Sequence, residues 1–300
     1  SRKPSKENTM KRFHAVTIAL IVGWGLGASA FAEPEFRLLW PDGAPGAKGE
    51  GKRDKPGLYL YPAPKEKANG TAVIVFPGGG YGMLAIGHEG HAWGTWYNEL
   101  GITAFVCRYR HSPYRHPTPL GDAQRAIRTV RSQAESFGID PGKIGIQGFS
   151  AGGHLVTTAA TKFDQGKPEA KDPIERVGCR PDFLIACYPV VSFTTEYVHA
   201  GSRRNLLGEN PDPDLVKSLS NELQVTKETP PTFLFHTNED RPVPPENSML
   251  FYQALRKAGV PAELHIFQPG RHGVGLAQGH PVLKHWPDRL KDWLRTNKWL

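Results

Sequence analysis

The sequence predicts an α/β fold in which a mostly parallel central sheet carries helices on both faces. Two observations lead there. From Thr71 onward, apolar strand-like runs alternate with segments of helical period. One such run, Lys143–Gln147, leads directly into Gly148-Phe149-Ser150-Ala151-Gly152, a serine flanked by glycines where a strand should turn into a helix. The length of 300 residues suffices to bury one large core.

The elements follow in order. Phe36–Trp40 and Leu58–Tyr61 read as antiparallel edge strands, separated by the Pro/Gly-rich loop Pro41–Pro56. Thr71–Phe76 and Ile102–Tyr109 are β-rich, with a helical stretch around Gly90–Leu100 between them. Leu120–Phe137 repeats apolar residues at helical spacing (Ala123, Ala126, Ile127, Val130, Ala134) and stops before Gly138. A helix follows Ser150 from about Ala151 to Lys162. Phe183–Tyr188, Thr232–His236 and Ala262–Phe267 complete the strands, and Glu246–Ala258 and Pro287–Thr296 the helices. Val190–Pro230 is the one sizeable insertion.

Residues 1–32 read as an N-terminal extension and signal peptide, leaving 33–300 as a single catalytic domain. Lys11-Arg12 supplies the positive start, Phe13–Leu26 the apolar middle, and Ala30-Phe31-Ala32 a cleavage site. A periplasmic or secreted destination follows, with no stable membrane partner. The formal charge of +8 is inflated by this segment, which holds five basic side chains and one acidic; the remainder carries +4. With no basic run interleaved with aromatics, nucleic-acid binding is not expected. Cys107 and Cys187 lie in apolar runs and Cys179 in a loop. Three buried free thiols are expected, although a Cys179–Cys187 bridge is conceivable.

The serine motif points to an α/β-hydrolase nucleophile, and in that fold the acid and the histidine follow in chain order. After Pro231–His236 comes Thr237-Asn238-Glu239-Asp240-Arg241-Pro242, where Asp240 is the preferred acid and Glu239 the runner-up. After Glu263–Phe267 comes Gln268-Pro269-Gly270-Arg271-His272-Gly273, where His272 is the expected base. His265, inside its strand, His236, His154 and His280 are assigned structural or surface roles. The glycine run Pro77-Gly78-Gly79-Gly80 ends another strand. Its Gly79 and Gly80 N–H groups, with that of Ala151, are expected to form an oxyanion hole. A dinucleotide loop is the weaker reading of the same glycines, because only a loose Gly-x-Gly-x-x-Ala pattern supports it. No metal or cofactor is expected.

These pieces resemble the secreted carbohydrate-esterase branch of the α/β hydrolases, similar to bifunctional acetylxylan and feruloyl esterases. The likeness rests on Pro77–Tyr81, His88-Glu89-Gly90, Tyr109-Arg110, Pro119–Arg128, Gly148–His154, Pro230–Leu234, Val243–Ser248 and Gly270–Leu276. It implies Ser150, Asp240 and His272 as a triad, an oxyanion loop at Gly79–Gly80, and acylated sugars or plant polysaccharides as substrates. Pro-Gly-Gly-Gly in place of His-Gly-Gly-Gly argues against the hormone-sensitive-lipase relatives. Tyr81, His88 and Glu89 flank the glycine loop, and Tyr197, His199 and Arg203 lie in the insertion; all six are candidate substrate contacts. A general carboxylesterase, a prolyl-oligopeptidase-like peptidase and a non-catalytic binding protein are the alternative readings.

Overall fold

Four adjacent strands are buried along their whole length: β3 (Ala72–Phe76), β5 (Ile144–Phe149), β6 (Phe183–Cys187) and β7 (Thr232–Thr237). Strands this apolar must be covered on both faces, which is the setting of a parallel sheet. The computed structural model, which describes residues 33–300, shows that sheet. The leader read in residues 1–32 lies outside the described residues. Eight strands run in the order β1 (Phe36–Leu38), β2 (Gly57–Tyr61), β4 (Thr103–Arg108), β3, β5, β6, β7, β8 (Ala262–Phe267). The β1–β2 and β2–β4 pairs are antiparallel, and the rest are parallel.

Period-two alternation sends the side chains of β3 to opposite layers. Ala72, Ile74 and Phe76 join one apolar cluster, whereas Val73 and Val75 join the other. The first cluster packs under α2 (Thr118–Ser132), α4 (Ala151–Thr161) and α7 (Glu246–Lys257). The second packs under α1 (Ala92–Glu99) and α8 (Trp286–Thr296), where Trp286 stacks on Phe235 at 4.0 Å between ring centroids. From β3 the chain first adds β4 on one side, then crosses back to add β5 on the other. The switch point therefore falls between the C-terminal ends of β3 and β5, the usual place for a binding crevice in such sheets.

One expectation needs adjusting. The helix expected over Leu120–Phe137 is interrupted at Gln133 (φ −108°, ψ 15°), leaving a one-turn α3 (Ala134–Phe137). The bend brings Asp140 N–H onto Gly70 O at 2.8 Å, which directs the chain into β5. The insertion contains two short helices, α5 (Ala200–Leu207) and α6 (Pro213–Ser218). All three cysteines are buried and free.

Helix α2 also buries charge that its apolar period does not reveal. Asp122, fully buried, accepts from Arg110 backbone N–H at 2.8 Å and from the Arg110 guanidinium at 2.6 Å, pinning β4 to α2. Burial pushes the Asp122 carboxyl up, and Arg110 pulls it back only in part. Truncating one member of such a pair strands the other charge in a dry site. Asp122→Ala should therefore lower unfolding free energy by about 3–5 kcal/mol, read from urea denaturation; a loss no larger than that of an exposed aspartate would contradict this.

Candidate active site

At the end of β5 the chain turns so sharply that Ser150 adopts φ 54° and ψ −118°, left-handed backbone that a non-glycine residue holds only when its surroundings impose it. The surroundings do so here. Ser150 N–H donates to Cys187 O at 3.1 Å, and Ser150 O accepts from His154 N–H and Val190 N–H, both at 3.0 Å. Glycine is required on both sides. A Cβ at Gly148 would collide with Gly152 O, and one at Gly152 with Phe76 O. The serine thus stands at the start of α4, beside the switch point.

Loops from three other strands meet it there. His272 Nε2 lies 2.8 Å from Ser150 Oγ, and His272 Nδ1 lies 2.6 Å from Asp240 Oδ2. A carboxylate can only accept, so Nδ1 carries the proton and the Nε2 lone pair faces the serine hydroxyl. Asp240 is buried. Its Oδ1 accepts from Val243 N–H at 3.0 Å, and the buried His236 places Nε2 3.4 Å from Oδ2. Burial alone would raise the Asp240 carboxyl; hydrogen bonds from His236 and His272 outweigh it and hold the group below the usual carboxylate range. Glu239 is exposed and instead accepts Gly270 N–H at 3.0 Å, at the root of the His272 loop.

The glycine loop after β3 forms the opposite wall. The N–H groups of Gly79, Gly80 and Ala151 have no acceptor among the described residues, whereas Gly78 N–H donates to Glu89 Oε2 at 2.9 Å. The loop is held at both ends. Tyr109 OH donates to Pro77 O at 2.7 Å, and Asn205 Nδ2 donates to Gly80 O at 2.8 Å. Gly79, Gly80, Met83, His88, His199 and the Ser150–His272 pair line a cavity of about 580 Å³.

Of the six candidate substrate contacts, the structure brings His88, Glu89 and His199 to this cavity but not the other three. Tyr81 turns into the core, 1% exposed, and its OH meets His154 Nδ1 at 2.9 Å. Arg203 spends a guanidinium N–H on Phe193 O, and Tyr197 O accepts from Asn247; neither residue lines the cavity. Glu89 is walled in rather than free. It accepts from Tyr188 OH at 2.8 Å as well as from Gly78 N–H, and Tyr188 OH accepts Gly275 N–H at 3.0 Å. The Tyr188 ring also stands edge-on to His272 at 5.2 Å. One buried carboxylate therefore links the glycine loop to the histidine loop. Sequence reasoning missed Tyr188 and His236 as supports, since each acts through a neighbour reached only in the folded chain.

The fold is that of the α/β hydrolases. A family model described as BD-FAE matches residues 58–255, and the chain belongs to that family. It is 39% identical over 229 residues to endo-1,4-beta-xylanase B of Butyrivibrio fibrisolvens, aligning 74% of this chain with 35% of that protein. It is 36% identical over 235 residues to an acetylxylan esterase of Xylanibacter ruminicola, aligning 77% of this chain with 46% of that protein. The chain thus spans less than half the length of these two relatives. The crystal structure of an acetyl ester-xyloside bifunctional hydrolase from Caldicellulosiruptor lactoaceticus superimposes with a TM-score of 0.84 at 46% identity, over 89% of this chain and 98% of that one. A propionate-bound thermophilic esterase from Thermogutta terrifontis superimposes with a TM-score of 0.71 at 25% identity, over 89% and 96% of the two chains.

The acid pair makes a discriminating test. Asp240→Asn should leave His272 in the wrong tautomer and lower ester turnover on the order of 10³–10⁴-fold, whereas Glu239→Gln should cost far less; steady-state rates of the two variants check this. A second expectation concerns acid. His154 is fully buried; burial lowers its pKa to about 4, and its ring bridges Tyr81 OH and Leu219 O. An unfolded histidine titrates at about 6.5, so between that pH and about 4 the unfolded chain binds the extra proton and stability falls as pH falls. Urea midpoints measured across that window should decline in the native protein and decline less in His154→Gln.

Proposed function

We propose that this protein is a serine ester hydrolase that removes acetyl groups from acetylated plant polysaccharide or oligosaccharide through an acyl-enzyme. The observation that carries the reading is the unbroken chain from Asp240 through His272 to Ser150, which shares one small cavity with Gly79 and Gly80, whose N–H groups are free, beside the free N–H of Ala151. In the first half-reaction Ser150 Oγ attacks the ester carbonyl while His272 Nε2 takes its proton. The N–H groups of Gly79, Gly80 and Ala151 hold the negative oxygen of the tetrahedral intermediate. As the intermediate collapses, the carbon–oxygen bond to the sugar breaks, and His272 returns the proton to the departing hydroxyl. Water then attacks the acetyl-Ser150 ester with His272 again as base, releasing acetate and restoring the serine.

The sugar substrate is supported by the names of the relatives: an acetylxylan esterase and an acetyl ester-xyloside hydrolase. The cavity also has room for a feruloyl group, so feruloyl esters belong in the same screen. We further propose export to the periplasm or beyond after cleavage near Ala32, on the strength of the leader pattern. Among the described residues no helix is long and apolar enough to cross a membrane.

Release of acetate from acetylated xylo-oligosaccharides is the direct test. Ser150→Ala should fold normally and lose on the order of 10⁴-fold in turnover or more. Activity confined to simple aryl esters would point to a general carboxylesterase, and cleavage of peptide amides to a peptidase. Gly80→Ala probes the oxyanion loop cleanly, because the nearest atom to a Cβ there is His199 Cε1 at 3.9 Å. The left-handed φ of 63° makes alanine strain the loop by roughly 1–2 kcal/mol. kcat should fall about tenfold with KM little changed; the reverse pattern would place Gly80 in substrate binding instead.

A further inference from the structure

A second cavity, again about 580 Å³, adjoins the one at Ser150, and the two share His88, Arg271 and Val274 as a common wall. The two cavities therefore lie side by side. The far wall belongs to the loop after His272, and that loop is held in place from within. Gly275 N–H donates to the buried Tyr188 OH, the buried Trp286 Nε1–H donates to Gly275 O at 2.9 Å, and Ala277 is kept at φ 51°. The second cavity is therefore a built surface, anchored to the same buried tyrosine that supports the histidine loop.

Its polar groups are specific. His280 Nδ1 accepts the backbone N–H groups of Val282 and Leu283 at 3.2 and 3.0 Å, so a neutral ring must carry its proton on Nε2. No hydrogen bond engages Nε2 among the described residues, and His280 lines the cavity. Arg271 has no ion-pair partner among the described residues, and Gln278 is exposed beside it. Glu239, with Oε2 occupied by Gly270 N–H, leaves its other oxygen as an acceptor. Donors and a carboxylate acceptor sit together with the apolar flank of Val274. A group of many neutral hydroxyls satisfies both kinds at once, whereas an anion would meet Glu239 and a plain acyl chain would leave the polar groups unpaired.

We infer that this second cavity is a glycan subsite, taking the neutral sugar next to the acylated one while the ester lies at Ser150. The inference rests on the ester-hydrolase reading above and adds a chain-length preference to it. Rates are compared on acetylated xylotetraose, acetylated xylose, methyl ferulate and nitrophenyl acetate, for the native protein and for His280→Ala and Gln278→Ala. The native protein should favour the acetylated tetraose over acetylated xylose about tenfold in kcat/KM, as one or two added hydrogen bonds allow. His280→Ala should erase most of that preference, and the exposed Gln278→Ala part of it, with nitrophenyl acetate turnover reporting that each variant is folded. A native protein that attacks acetylated xylose and the tetraose equally, or variants that keep the preference, would overturn the subsite alone. Loss on methyl ferulate without loss of the preference would make the cavity an acyl pocket and overturn it too. A native protein active only on nitrophenyl acetate would overturn the carbohydrate reading itself, and the subsite with it.

Discussion

Everything at this site depends on how closely β3, β5 and α4 approach one another around Ser150. Gly148 and Gly152 have no room for a Cβ because the facing carbonyls of Gly152 and Phe76 already occupy the space. That closeness forces Ser150 into left-handed backbone, lifts its hydroxyl off the sheet and leaves the Ala151 N–H free at the helix start. It also brings the glycine loop after β3 alongside the serine, since Phe76 and Gly148 are register partners. One steric constraint thus sets the Ser150 hydroxyl and the free N–H groups of Gly79, Gly80 and Ala151 relative to each other.

The remaining machinery hangs on buried polar contacts between loops. Glu89 holds Gly78 on one side and Tyr188 on the other, and Tyr188 in turn holds Gly275 and abuts His272. Asp240 is steadied by Val243 and His236, and His236 by Ser248 on α7. His154 connects α4 to Tyr81 beside the glycine loop and to Leu219 in the insertion. Buried groups of this kind are costly unless fully paired, so each also fixes the geometry of what it touches. The relay is consequently a rigid arrangement on rigid supports, which suits chemistry that depends on preorganised donors.

The succession of strands along the chain, and Ser150, Asp240 and His272 as candidates after strand ends, were legible in the sequence because their signals are local. Apolar runs mark the strands, glycines mark the turn, and each of the three residues closely follows a strand end. The supports were not legible for the opposite reason. Tyr188 and Glu89 are 99 positions apart, and nothing near either one announces the contact. Tyr81 looked like a substrate contact because it follows the glycine run, yet the loop turns it inward onto His154. Tyr197 and Arg203 suit sugar by chemistry alone, but neither lines the cavity at Ser150. The stretch Pro119–Arg128 carries scaffold: Asp122 pairs with Arg110, while Arg125 reaches Asp172 and Glu175.

The central claim is that Ser150 becomes covalently acylated during turnover. The most direct measurement is rapid acid quenching of the native protein while it hydrolyses nitrophenyl acetate, followed by mass mapping of its peptides. The account predicts one acetyl group on the peptide containing Ser150, absent from Ser150→Ala treated identically. Steady turnover with that peptide unmodified at every quench time, and equal turnover by Ser150→Ala, would contradict it.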